Sequence, residues 1–75
     1  MEKLLKILNH LHPEVDFENN TSLIDDGILD SFDIGALVGE IFETFEVIIP
    51  AEEIIPENFN SAEALMALIT RIDEE

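Results

Sequence analysis

The chain has 75 residues, 18 acidic against three basic side chains, a formal net charge of -15 and no cysteine. A chain of this size forms one small domain that buries only about 60% of its unfolded surface, so a core and a deep active site do not both fit and catalysis in isolation is not expected. The charge disfavours nucleic acid and anionic membranes and favours partners with basic patches. Without cysteine there is no disulfide, thiolate nucleophile or cysteine metal site, so any thiol the protein uses must be imported.

No apolar run approaches the length needed to span a bilayer, and residues 1–6 lack a signal-peptide pattern; a soluble, cytoplasmic, monomeric protein is expected. The first helix is predicted from about Glu2 to Leu11, with Leu4, Ile7, Leu8 and Leu11 on one face and Pro13 ending it. Residues 13–29 read as a long connection rich in turn formers, Asn19-Asn20-Thr21-Ser22 and Asp25-Asp26-Gly27. A connection of this length in a small domain is functional or is pinned by its own apolar residues, here Val15, Phe17, Leu23, Ile24, Ile28 and Leu29. Placing Gly27 at the glycine of a calcium loop leaves a poor oxygen set, so no calcium site is expected. His10 and His12 point to different sides near a helix end and read as surface residues, not a metal pair.

A second helix is predicted over about Ser31 to Phe45. At 100° per residue, Ile34, Leu37, Val38, Ile41 and Phe45 share a core-facing arc. The opposite side gathers Phe32, Gly35, Ala36, Gly39 and Glu43, with Phe42 near its edge and Asp33 and Glu40 along the flank. Glycine in an exposed helix interior costs roughly 1 kcal/mol relative to alanine. Gly35 and Gly39 therefore mark a close approach, either of the preceding loop or of a partner protein. Phe32, opposite the core arc, reads as a partner anchor.

Ser31 stands where the turn becomes this helix. Serine is a preferred N-cap, which is the structural account of its presence, but Asp30 is available to cap in its place. A phosphate ester on Ser31 would then meet the unpaired N–H groups and positive dipole end of the helix. Neither a phosphate-cradling glycine loop nor a Ser-His-Asp triad is indicated.

Residues 51–60, with two prolines and little periodicity, are predicted as an irregular or one-turn connection. The last helix is predicted to start at Asn60 as cap, with Glu63 completing a capping box and Leu65, Leu68, Ile69 and Ile72 on one face. Met66 reads as a core gap-filler. The sum is an all-α, small four-helix bundle, three long helices plus one short, in one domain spanning 1–75.

The segment Leu29-Asp30-Ser31-Phe32-Asp33, followed by Leu37-Val38, Ile41, Glu43, Phe45 and Val47-Ile48-Ile49-Pro50, resembles the acyl and peptidyl carrier proteins. The resemblance runs from about Leu4 to Ile72. It implies an acyl-carrier-like bundle and a 4′-phosphopantetheine arm on Ser31, next to Asp30, installed from coenzyme A by a phosphopantetheinyl transferase. It further implies an arm thiol that holds cargo as a thioester, loaded by an acyl or aminoacyl ligase and passed to synthases of fatty acid or natural product biosynthesis. The protein would thus be a substrate of its partner enzymes and not itself an enzyme.

The face opposite the core arc, Phe32, Asp33, Gly35, Ala36, Gly39, Glu40, Phe42 and Glu43, is the expected partner surface, and the resemblance adds that the apolar residue following the serine, here Phe32, contacts partner enzymes. Fatty acid carriers usually have a glutamate where this chain has Ala36. The acidic docking face is thinned there to Asp33, Glu40, Glu43 and Glu46, which fits a more apolar contact through Phe32, Ala36 and Phe42. Glu57-Asn58-Phe59-Asn60-Ser61 resembles the corresponding segment of D-alanine carrier proteins, tilting the cargo toward aminoacyl or peptidyl groups. An unmodified acidic interaction module, binding a basic or amphipathic partner through the same helix face, is the alternative.

Overall fold

A computed structural model describes residues 2–74, whose regular elements are all helices with no strand among them; Met1 and Glu75, the ends of the expected domain, lie outside the described residues. Four α-helices follow in order, α1 (Glu2–Leu11), α2 (Ser31–Phe45), α3 (Pro56–Phe59) and α4 (Ala62–Asp73), with a 3-10 turn at Ala51–Glu53 before α3. Three helices are long, as the periodicity predicts, and the short α3 is a single turn within the connection expected over residues 51–60.

Helix α1 buries Leu4, Ile7 and Leu8. Helix α2 buries Leu37 and Ile41 completely, and Ile34, Val38 and Phe45 pack half-buried against the same core. Helix α4 contributes Ala62, Leu65, Leu68 and Ile69, and Phe59 closes α3 against them at 1% exposure. Met66 and Ile72 pack at the margin. All these residues join one continuous core.

The connection between α1 and α2 has no regular helix. Phe17, Leu23 and Leu29 are buried in the core beneath it, and Val15, Ile24 and Ile28 are half-buried. Its turn is closed by Gly27, at φ 73°, and by the N–H groups of Ile28 and Leu29, which both donate to Leu23 O at 3.0 Å. The left-handed backbone there favours glycine.

One predicted boundary is corrected. Ser61, not Asn60, caps α4: its backbone is extended and its hydroxyl accepts from Ala64 N at 3.0 Å. Asn60 has helical dihedrals at the end of α3, incompatible with an N-cap, and its side chain is used elsewhere. Asn60 Oδ1 accepts from Ile24 N at 2.9 Å and Asp25 N at 3.2 Å, while Asn60 O accepts from Leu23 N at 2.9 Å. With the helix starting later, Glu63 falls one position early for a capping box. The asparagine thus ties the long connection to the α3–α4 junction.

Beyond α2 the chain leaves through Glu46, a left-handed residue at φ 58° whose N–H donates to Phe42 O. Val47 and Ile49 turn inward and are buried, whereas Ile48 between them is 70% exposed. That alternation is the two-residue period of extended backbone.

Candidate functional site at the start of helix α2

The first turn of α2 is built by Asp30. As N-cap, its carboxylate accepts from Asp33 N at 2.9 Å, and Asp33 Oδ2 accepts in return from Asp30 N at 3.3 Å, completing a capping box. Ser31 is therefore relieved of capping and becomes the first helical residue, exposed, with no hydrogen bond to its hydroxyl among the described residues. The N–H groups of Ser31 and Phe32 likewise take no acceptor among the described residues. An anion attached at Ser31 would meet both donors at the positive end of the helix dipole.

Asp33 does not stand free on the flank. His12 Nε2 approaches its Oδ2 at 2.9 Å, and His12 Nδ1 lies 3.3 Å from Glu14 Oε1. The His12 bond, aided by the Asp30 backbone, holds the Asp33 carboxyl below the ordinary carboxylate range, against partial burial that pushes it up. Asp33 and, secondarily, Glu14 hold the His12 imidazole above its ordinary value. His12 is thus no plain surface residue but a half-buried link between the end of α1 and α2. A contact spanning 21 positions leaves no local sequence signal.

The helix face beyond Ser31 is open. Phe32 is 84% exposed and Phe42 51%. A Cβ added at Gly35 or Gly39 would meet no atom within 4 Å. Of the two readings of these glycines, packing beneath the preceding loop is therefore rejected. Ala36 and Glu40 are half-buried, and Glu43 and Glu46 are exposed. With Asp33 engaged internally, the free acids of this face reduce to Glu40, Glu43 and Glu46.

Arg71 forms a bidentate pair with Glu53, at 2.9 and 3.1 Å, joining α4 to the 3-10 turn, where Asn58 also donates to Glu53 O. Ile54 and Ile55 join Ile48 as exposed large apolar residues after α2. A groove of about 240 Å³ is bounded by Leu5, Glu18, Ala62 and Glu63, none of them on α2. No helix among the described residues is long and apolar enough to cross a membrane.

Compared with models of known protein families, with curated proteins and with solved structures, the chain matches none.

Proposed function

We propose that this protein is a carrier, with Ser31 the attachment point of a 4′-phosphopantetheine arm. The observation that supports this best is the division of labour at the start of α2: Asp30 does the capping, and the serine beside it is exposed and unengaged. A serine kept at a helix start for stability alone would be the cap. The N–H groups of Ser31 and Phe32, without an acceptor among the described residues, suit the charge of a phosphodiester at that position.

In the attachment step the Ser31 oxygen attacks phosphorus in the diphosphate of coenzyme A. A phosphorus–oxygen bond to the nucleotide half breaks, and the hydroxyl proton passes to a base on the transferase. Among the described residues no side chain hydrogen-bonds the Ser31 hydroxyl, so the base comes from the transferase. The arm, once bound, supplies a flexible reach and a terminal thiol for acyl, aminoacyl or peptidyl cargo. The tether raises the effective concentration of that cargo at partner active sites.

The chain's remaining task is recognition. Phe32, Gly35, Ala36, Gly39 and Phe42 offer a flat, largely apolar face beside the serine, with Glu40 and Glu43 at its margin for basic partners. Transferase, loading ligase and downstream synthases would approach there. An unmodified binding module would use the same face but leaves the unengaged serine without a role. The direct test is in-gel labelling with a fluorescent coenzyme A analogue, magnesium and a broad-specificity transferase. Label on the parent and none on Ser31→Ala is expected; equal label on both would move the site elsewhere.

A further inference from the structure

His12 follows α1, where its backbone N–H donates to Leu8 O at 2.9 Å and the negative end of the helix dipole favours a cation. Its ring lies between two carboxylates, with Nε2 at 2.9 Å from Asp33 Oδ2 and Nδ1 at 3.3 Å from Glu14 Oε1. An ionised carboxylate accepts hydrogen bonds and donates none, whereas a neutral imidazole has one N–H and one lone pair. Neutral His12 therefore satisfies one neighbour and turns a lone pair on the other; the imidazolium satisfies both. The charged groups acting on the ring are Asp33 from α2 and Glu14 from the connection, with no lysine or arginine among them.

We infer that His12 is a proton-dependent latch: protonated, it ties the end of α1 to the first turn of α2, and on losing the proton it loosens that turn around Ser31. The coupling runs through one atom. Asp33 Oδ2, which receives the His12 ring, also accepts from Asp30 N and so holds the capping box that flanks Ser31.

Resting on the carrier reading, a second consequence follows. A phosphodiester on Ser31 adds negative charge to a turn that already contains Asp30 and Asp33, which tightens the hold of His12 on its proton. By linkage, protonated His12 favours the modified turn to the same degree.

The test uses the full, unmodified chain, so its outcome is independent of whether Ser31 accepts an arm. The His12 ring is followed by NMR through a pH titration, and backbone amide exchange at Asp33 and Ile34 is measured on both sides of its midpoint, corrected for intrinsic base catalysis. The latch predicts a midpoint above the ordinary 6.5 that moves down in Asp33→Asn. Protection of the turn should fall as pH crosses the midpoint in the parent and stay flat in His12→Arg, which keeps a cation throughout. A parent midpoint at or below 6.5, or protection that is the same on both sides of it, would overturn the latch; neither reading needs a variant to fold. After arm attachment the midpoint should rise further, and an unchanged midpoint would overturn the coupling alone.

Discussion

At the scale of single residues, position within a helix turn decides what each side chain is free to do. Ser31 sits at the first helical position with Asp30 as cap, so Ser31→Ala should change stability by no more than about 0.5 kcal/mol in urea unfolding while abolishing attachment. Asp30→Ala, which removes a cap, should cost about 1 kcal/mol. Glu46 holds a left-handed backbone that glycine adopts without penalty. Glu46→Gly should therefore stabilise the fold by about 1 kcal/mol, a rise of several degrees in melting temperature.

The His12–Asp33 pair gives stability a pH dependence whose sign follows from the two shifts. The raised His12 contributes fully below its ordinary 6.5 and loses that contribution as pH rises through its folded value. The lowered Asp33 contributes fully above its ordinary 3.8 and loses it as pH falls through its folded value. The pair is fully effective between those limits, with a magnitude of at most about 1 kcal/mol for partly exposed groups. Urea unfolding of the parent and His12→Gln should differ most below the ordinary 6.5 and converge as pH rises through the raised folded value of His12; a constant difference would contradict this.

At the scale of elements, α2 combines a packed face with a face that helix stability does not explain. Because the space over Gly35 and Gly39 is open, alanine at either position should stabilise the helix by up to about 1 kcal/mol. If the face docks partners, the same substitutions should slow arm transfer, so stability and transfer rate move in opposite directions. Faster or unchanged transfer would separate these glycines from recognition.

The connection before α2 depends on Asn60. Asn60→Ala strips the acceptor from Ile24 N and Asp25 N and should cost about 1–3 kcal/mol. Helical periodicity marks α1, α2 and the core face of α4, because burial repeats every turn. The α4 boundary is missed by one residue, since Asn60 and Ser61 are both capable caps and the choice depends on Ile24 and Asp25, far away in sequence. His12–Asp33 and Glu53–Arg71 are hidden for the same reason. The exposure of Phe32 was legible from the helical wheel, whereas that of Ile48 required knowing that the chain runs extended after Glu46.

At the scale of the whole molecule, a net charge of -15 on 75 residues opposes the compact state through self-repulsion. Added monovalent salt, by screening that repulsion, should raise the melting temperature between about 10 mM and 150 mM ionic strength, where the screening length falls from roughly 30 to 8 Å. Partner association steered by the charge should weaken over the same range, while a contact made mainly through Phe32, Ala36 and Phe42 should persist. The ratio of these two salt effects distinguishes charge-led from apolar docking.

A covalent arm on Ser31 would register as added mass in the spectrum of the intact protein. After incubation with coenzyme A, magnesium and an active phosphopantetheinyl transferase, the parent should gain the mass of one arm and Ser31→Ala none. A folded parent that gains nothing, beside a control carrier that is modified in the same mixture, would contradict the carrier account and leave the α2 face as a binding surface without an arm.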